Sequence, residues 1–291
     1  MTRFDPRLNR RALFATGSAA ALLAAVGVSA QAAPTRGGHL RVALSGGDRT
    51  ETWLDVPGGR FLQAARHAVF ECLTEIAADG TLQPGLADTW TASANGQTWL
   101  FDLKQDVNFH DGTMLTSDDV AASLNVHEII ETVTALGRYQ VEVTLFDPDP
   151  SLPVRLADGG FSIFAASDLA IGDLPMNGTG PYSIKRFDAG RGFLGARVEN
   201  HRKDGTAGWF ETVELIAISD EGVRADALRE GFVDAADLSA GHGLDAHDDL
   251  ELLSENNVVH AAIRTGVTHA SRVGSHPLDA MRFATRWWMT T

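Results

Sequence analysis

The segment from Gly241 to Asp249 holds the densest set of side chains that could bind a metal ion. It contains His242, His247 and three aspartates within nine residues. Neutral imidazoles and ionised carboxylates are suitable ligands for a divalent metal. The alternative is a solvated polar loop, which we favour because the ligands lie on a glycine-rich stretch with no regular spacing to orient them. The sequence therefore predicts no metal site and no cofactor.

Short motifs of the common catalytic sites are absent from the sequence. There is no Gly-x-Ser-x-Gly elbow, no His-Glu-x-x-His, no Ser-x-x-Lys and no glycine-rich loop ending in Lys-Ser or Lys-Thr. Acid–base catalysis needs carboxylates brought together in a pocket, and an acidic chain contains chance pairs. His110 is interpreted as structural, because Asp111 and Gly112 already explain the turn in which it lies. The sequence predicts a protein that is not an enzyme.

The first 32 residues have the features of a secretory signal peptide. Four arginines precede an apolar run from Ala12 to Val28, and Ala30-Gln31-Ala32 supplies a small-x-small cleavage pattern. Asn9-Arg10-Arg11 is close to a twin-arginine motif. The alternative, an uncleaved membrane anchor, is less favoured because the run is short for a bilayer span and the cleavage pattern follows it directly. We expect residues 1–32 to be a twin-arginine-like signal peptide.

The mature chain is expected to be strongly acidic. The full sequence of 291 residues has 24 basic and 38 acidic residues. Without the four arginines and one aspartate of residues 1–32, 20 basic residues face 37 acidic ones, a net charge of −17. Such a surface repels phosphate backbones and anionic lipid, which argues against a nucleic-acid or membrane-surface partner.

Apolar periodicity predicts alternating strands and helices. Trp99, Phe101 and Leu103 recur at a spacing of two, which indicates a strand over residues 97–104 with one buried face. A sharp turn follows, and hydroxyl and carboxylate groups at residues 116–119 then begin a helix that continues to Leu124. Further strands are predicted at 37–45, 139–145, 161–165, 182–187, 193–199 and 210–218, and further helices at 60–76, 221–231 and 277–291.

Cys72 is the only cysteine, so neither an intrachain disulfide nor a thiolate metal site can form. It lies in the predicted helix 60–76, where Leu62, Ala65 and Val69 recur at helical spacing. The pattern predicts a buried, inert thiol.

Several motifs resemble those of one protein family. They are PGLADTW, NGQTWLFDL and DVNFHDGTMLTSDDVAASL between residues 84 and 124, then GTGPY from 178, ALREGFVD from 227 and PLDAMRFA from 277. Together they resemble the family 5 solute-binding proteins of bacterial ABC importers, which bind dipeptides, oligopeptides or nickel. The chain departs from the usual pattern at Thr89, Lys104 and Met114, and none of these departures touches the turn or the helix cap.

The resemblance implies an α/β fold of the type II periplasmic binding-protein kind. Residues 33–60 and 175–270 would form the first lobe, and residues 61–174 an inserted sub-domain. Residues 271–291 would begin a second lobe. Because the family fold continues well past the last motif, we expect the second lobe to be largely missing.

The same resemblance implies a periplasmic protein that delivers a peptide or other small solute to ABC permease subunits. Loop ends of the first lobe meet the ligand in binding proteins of this shape. The candidate ligand-binding residues, for which ordinary loop positions are the alternative, are Ser45, Gly46, Asp48, Trp53, Asn177 and Thr179.

A different interpretation is a binding-incompetent half-lobe that acts as an interaction module. A lobe without its partner would expose apolar area, to which Trp287, Trp288 and Met289 near the C-terminus would contribute. We expect self-association through that face.

Overall fold

The computed structural model describes residues 37–54, 59–77, 80–171, 176–204, 206–255 and 258–264. The predicted signal peptide (1–32) and the predicted beginning of a second lobe (271–291) lie outside the described residues. The strands are β1 (His39–Leu44), β2 (Thr74–Ile76), β3 (Leu82–Pro84), β4 (Ala87–Ala92), β5 (Thr98–Leu103), β6 (Ile130–Gly137), β7 (Gln140–Leu145), β8 (Tyr182–Asp188), β9 (Gly192–Arg197), β10 (Thr212–Ala217), β11 (Ala235–Asp237), β12 (Leu250–Glu255) and β13 (Val258–Arg264). The helices are α1 (Arg60–Val69), α2 (Ser117–Leu124), α3 (Leu152–Arg155), α4 (Ala166–Ile171) and α5 (Glu221–Arg229), with 3-10 turns at Gly159–Phe161 and Leu244–Ala246.

Strand β1 is the central strand of a seven-stranded sheet with the order β12-β13-β11-β1-β10-β9-β8. It runs parallel to both of its neighbours, β10 and β11, and the outer pairs of the sheet are antiparallel. Leu40, Val42 and Leu44 are fully buried on one face, as the alternation predicts. Ala43 is fully buried on the other face, so β1 is covered on both sides, as is usual for parallel strands.

Two helices cover the faces of this sheet. Helix α1 packs its apolar residues, among them Phe61 and Leu62, into one cluster with Leu40 and Val42 of β1. Helix α5 packs Ala225 and Leu228 against the opposite face, in a cluster that contains Ala43. The parallel strands therefore lie inside an α/β layer structure.

A separate four-stranded antiparallel sheet has the order β4-β5-β7-β6. Trp99, Phe101 and Leu103 are buried, which confirms the predicted face of β5. Helix α2 begins with a capping box, in which a carboxylate oxygen of Asp119 accepts a hydrogen bond of 2.8 Å from the backbone N–H of Thr116. This sheet and α2 enclose an apolar cluster of their own.

The helix predicted over 60–76 ends at Val69, and a short strand, β2, follows it. Phe70 is extended, and the carbonyls of Cys72 and Leu73 accept hydrogen bonds from Leu86 and Ala87. Those partners come from a later part of the chain, which the local spacing of apolar residues does not reveal. The predicted burial of Cys72 is confirmed, since it is 6% exposed.

Residues 161–165, predicted as a strand, contain no strand. The hydroxyl of Ser123 accepts from the N–H of Phe164, and the carboxylate of Asp119 accepts from the N–H of Ala166. Because these N–H groups bind α2 side chains, no strand ladder forms here. The sequence does not predict strand β6, because its residues lack the alternation of apolar and polar side chains, and only Ile130 and Val133 of them are buried.

The two main apolar clusters divide the described chain close to residue 70. Helix α1 and Phe70 belong to the cluster of the seven-stranded sheet, whereas Leu73 belongs to that of the four-stranded sheet. The cluster membership changes between Phe70 and Leu73, and the division of the chain into a first lobe and an insertion over 61–174 remains a prediction. None of the helices in the described ranges combines the length and apolar character that crossing a bilayer requires.

Candidate functional site

The carboxyl ends of β1, β10 and β11 meet at one edge of the seven-stranded sheet. Strand β1 has parallel neighbours on both sides, and the chain passes from β10 through α5 to β11 on the far side of β1. Such a reversal of strand order creates a crevice outside the carboxyl ends, where open α/β sheets bind their ligands. Ser45 and Asp237 lie at this edge.

Asp237 forms hydrogen bonds and ion pairs with several groups at this edge. Its Oδ1 atom accepts a 2.8 Å hydrogen bond from the N–H of Ser45 and lies 2.9 Å from Nε of Arg224. Its Oδ2 atom accepts from the hydroxyl of Ser45 and is 3.9 Å from Nε of Arg60. Arg224 is itself only 4% exposed and donates to the carbonyl of Ile218. This network fixes Ser45 and the beginning of the loop that leaves β1.

Glu221 holds a second loop at the same edge. Its carboxylate accepts from the N–H and hydroxyl of Ser239, from the N–H of Ala240 and from Nε2 of His242, the last at 2.7 Å. Burial acts to raise the pKa of Glu221, but these donors outweigh it and lower this pKa to about 2. The imidazole of His242 is therefore hydrogen-bonded to a carboxylate. Over the described ranges, no three His, Cys, Asp or Glu side chains converge as a metal site requires.

Gly46 and Asp48 shape the loop between β1 and α1. Gly46 has a φ of +88°, and a Cβ at this position would lie 2.7 Å from the Cα of Gly59, so the close approach requires glycine. Asp48 is exposed and accepts from the N–H and hydroxyl of Thr50, and these bonds lower its pKa. Both residues shape this loop, and a ligand-binding role for them remains a prediction.

Trp53 is a core residue. It is 1% exposed, and its ring centroid lies 4.1 Å from that of Phe187 and 5.5 Å from that of Phe70. The indole therefore faces away from solvent. The next residue, Leu54, is 52% exposed and lines a cavity, so the cavity-facing position of this loop belongs to Leu54.

Asn177 and Thr179 belong to a different set of contacts. The side-chain oxygen of Asn177 accepts a 3.1 Å hydrogen bond from the N–H of Asp111, and Nε2 of His110 lies 2.8 Å from the carbonyl of Gly180. Thr179 is 1% exposed. The segment thus attaches the turn at residues 108–112 to the chain that leads into β8. Its contacts support the structural interpretation of His110, and a ligand-binding role for Asn177 and Thr179 remains a prediction.

A cavity of about 680 Å³ opens beside the loop that follows β1. It is enclosed by that loop, α1, the C-terminal end of α2 and the segment from the first 3-10 turn to α4. Its volume is in the range of small-molecule sites, which are mostly apolar with a few polar groups. The lining residues are Leu54, Arg66, Ala122, Ser123, Val126, His127, Glu128, Ile129, Gly160, Phe161, Phe164 and Leu169.

Arg66 and His127 are the two basic side chains of the cavity lining. Arg66 is 1% exposed, and its guanidinium carbon lies 5.6 Å from the ring centroid of Phe164. The imidazole of His127 packs on Phe161, with 4.3 Å between ring centroids. Burial, and after it the positive charge of Arg66, lower the pKa of His127, which keeps this imidazole neutral at pH 7.

Sequence reasoning missed this cavity, although one signal pointed to it. Arg66 lies four residues after Leu62, so helical geometry places it on the same face as the apolar residues of α1. Cations are rarely buried without a reason. The aromatic partners come from residues about a hundred positions later, and no local pattern connects them with α1.

Comparison with known proteins assigns the family. The family described as bacterial extracellular solute-binding proteins, family 5 Middle, matches residues 81–262. The nickel-binding periplasmic protein of Escherichia coli K12 is 27% identical over 218 residues, which are 68% of this chain and 41% of that protein. The probable D,D-dipeptide-binding periplasmic protein DdpA of the same strain is 28% identical over 199 residues, 61% of this chain and 37% of that protein.

A solved structure shows the same fold. The periplasmic binding protein AgaA of A. tumefaciens R10, in complex with agropinic acid, superimposes with a TM-score of 0.67 at 28% identity. The match covers 74% of this chain and 48% of AgaA, so the chain spans about half the length of the relatives it matches, or less. The mixed α/β architecture is that of periplasmic binding proteins, and the chain belongs to family 5 of the bacterial extracellular solute-binding proteins.

Proposed function

We propose that this protein is the periplasmic solute-binding component of an ABC importer and that it holds its solute in the cavity lined by Leu54 and Arg66. The cavity is the observation that carries the proposal. Its volume, about 680 Å³, suits a small solute, and its mostly apolar wall contains a few polar groups. The loop after β1 contains both Ser45, at the sheet edge, and Leu54, at the cavity. A solute bound in the cavity would therefore contact this loop at Leu54.

Within this function, a short peptide is the proposed solute. The relatives are named for different ligands, namely nickel and a D,D-dipeptide, and one was solved with agropinic acid. Relationship alone therefore does not select a solute. An apolar wall beside a guanidinium and an imidazole favours an organic solute with polar ends, as a peptide is, over a bare metal ion, which would need several anionic or imidazole ligands.

Export and delivery complete the proposal. Residues 1–32 would direct the chain across the membrane as a twin-arginine-like signal peptide, and ABC permease subunits would receive the solute. A binding role without catalysis agrees with the absence of catalytic motifs from the sequence.

Thermal unfolding of the purified full chain with a solute panel tests this function. The panel contains di- and tripeptides, nickel ions and agropinic acid. A solute at about 100 times its Kd stabilises the folded state by about 2.7 kcal/mol, which raises Tm by roughly 5–10 °C in a chain of this size.

Two substitutions locate the binding. Leu54 and Val154 are both 52% exposed, but only Leu54 lines the cavity. Leu54→Asp should abolish the solute-dependent shift, and Val154→Asp should keep it. If no solute of the panel raises Tm, the importer function is contradicted and the alternative, an interaction module, gains support. Equal shifts in both variants would place binding elsewhere.

A further inference from the structure

The aromatic side of the cavity belongs to a segment with little regular structure. Residues 162–165 follow the 3-10 turn Gly159–Phe161 and contain neither helix nor strand. Phe161 and Phe164 of this part of the chain both line the cavity. The positions of the two rings therefore depend on the groups that bind the segment's backbone.

Two side chains of α2 hold this backbone. The hydroxyl of Ser123 accepts a 2.9 Å hydrogen bond from the N–H of Phe164 and donates at 2.7 Å to the carbonyl of Asp119, one turn earlier in the helix. The Oδ1 atom of Asp119 accepts a 2.9 Å hydrogen bond from the N–H of Ala166. Ser123 is 3% exposed, so its hydrogen bonds are shielded from water. Helix α2 thus fixes the chain at Phe164 and just after it.

The rings held in this way form a packed apolar surface. The ring centroid of Phe164 lies 4.7 Å from that of Phe70 in a T-shaped contact, and that of Phe161 lies 4.3 Å from that of His127. Leu54, Ile129 and Leu169 continue the apolar wall. Such a surface favours a large apolar group over a small one, because the larger group removes more apolar area from water.

The polar side chains of the lining are largely used within the protein. The hydroxyl of Ser123 has the partners described above, and the guanidinium of Arg66 packs on Phe164 and has a further partner. The carboxylate of Glu128 is exposed to water. The wall therefore offers a solute mainly apolar contacts.

We infer that Ser123 is a positioning residue of this cavity: it holds Phe164 through the backbone, and the aromatic wall fixed in this way selects solutes that carry a large apolar side chain, such as the phenyl group of a peptide. The inference rests on the proposed function and deepens it by naming the solute class and the residue that sets it. The competing interpretation is that Ser123 only stabilises the fold.

A matched pair of dipeptides measures the selection. Ala-Phe and Ala-Ala have the same charged ends and differ only in the phenyl group. Calorimetric titration of the full chain should show Ala-Phe binding at least about tenfold more tightly, because its phenyl group leaves water for the apolar wall. Equal affinities, or no binding of Ala-Phe, would overturn the inference.

Ser123→Ala tests the positioning role, and Ser117→Ala is its matched control. Both serines are buried in α2 and hydrogen-bonded to another segment, since Ser117 donates to the carbonyl of Gly137, but only Ser123 lines the cavity. Both variants should lower the midpoint of urea denaturation, whereas only Ser123→Ala should reduce the ratio of the two dipeptide affinities, by at least about threefold. Ser123→Thr keeps the hydroxyl and should retain the wild-type ratio. A ratio that is the same in Ser123→Ala and Ser117→Ala would show that Ser123 has only a structural role.

A cavity-filling variant gives a second test that does not depend on the folding of Ser123→Ala. Ala122 is partly exposed and lines the cavity, so Ala122→Trp should occupy the space beside the wall and lower the affinity for Ala-Phe to that for Ala-Ala. Ala94→Trp, in the exposed turn between β4 and β5, is the control and should keep the ratio. An unchanged ratio in Ala122→Trp would refute selection by this wall. If neither dipeptide binds while another solute of the panel raises Tm, the inference fails and the proposed function stands, whereas no shift with any solute contradicts both.

Discussion

Arg202 and Glu71 form an ion pair beside the point where the two main apolar clusters meet, with 2.5 Å between Nη2 and Oε1. Glu71 is 5% exposed and lies between Phe70, which belongs to one cluster, and Leu73, which belongs to the other. Lys203 adds a second cation, 2.8 Å from the same oxygen. A buried carboxylate thus connects the chain after β9 to the segment between α1 and β2.

Glu71→Gln should strongly destabilise the protein. Removing one partner of a buried ion pair leaves uncompensated charge and typically costs about 3–5 kcal/mol. Urea denaturation at pH 7 measures the change. The control is Glu211→Gln, because Glu211 is 64% exposed and its pair with Arg197 should contribute less than about 1 kcal/mol. Similar losses in the two variants would contradict the prediction.

The contribution of Glu71 should also depend on pH. Burial alone would raise the pKa of Glu71, but the charges of Arg202 and Lys203 outweigh it and hold this pKa far below the ordinary range. Its stabilising effect is therefore complete above the unfolded-state pKa of about 4.3 and is lost progressively as the pH falls below that value. The difference in stability between wild type and Glu71→Gln should be smaller at pH 3 than at pH 7. A constant difference would show that the charge of Glu71 is not its cause.

Asp237→Asn should loosen the sheet edge. Arg224 lies 2.9 Å from this carboxylate and is almost fully buried, so neutralising Asp237 should cost roughly 3 kcal/mol. Asp226→Asn is the matched control, because Asp226 pairs with Arg229 on the surface of α5 and its side chain is 67% exposed. Denaturation midpoints that shift equally in both variants would argue against a structural network at this edge.

The carboxyl group of Glu221 should titrate near pH 2, which carbon-13 NMR of the side chain can follow. Ser239→Ala and His242→Ala each remove a donor to this carboxylate and should raise its pKa. Because the folded-state pKa is depressed, the associated stability is present above about pH 4.3 and is lost as the pH falls toward 2. A wild-type midpoint near 4.3 would contradict the described contacts.

Gly178→Ala should be poorly tolerated. A Cβ at this position would lie 2.0 Å from the carbonyl oxygen of Val69, so the segment or the end of α1 must move, at a cost of about 3 kcal/mol. Gly137→Ala is the control, since nothing lies within 4 Å of its Cβ position, and it should change stability by less than about 0.5 kcal/mol. Urea denaturation of both variants compares them, and similar stabilities would rule out the close approach.

The predicted self-association depends on Trp287, Trp288 and Met289, which lie outside the described residues. Sedimentation over a hundredfold concentration range should reveal a dimer that forms as concentration rises. A single monomeric species throughout would contradict that prediction.

The sequence by itself determined the elements whose signals are local. The period of two in β5, with Trp99, Phe101 and Leu103 on one face, needs only neighbouring residues, and so does the cap at Thr116 and Asp119. The family could be identified from motifs for the same reason, since the match at residues 81–262 covers most of the continuous stretches that carry them.

Tertiary structure decided the features that depend on distant partners. Helix α1 ends at Val69 because the carbonyls of Cys72 and Leu73, which a longer helix would have used, accept hydrogen bonds from the N–H groups of Leu86 and Ala87. Trp53 is buried because Phe70, after the end of α1, and Phe187 of β8 pack against it. The sequence predicts that the indole faces the ligand, and we propose Leu54 for that position instead. The cavity forms where α1 meets a segment about a hundred residues later, and the burial of Arg66 in its wall depends on that meeting. Local patterns report which face of an element is apolar, whereas the identity of the surface it meets is set by packing across the whole chain.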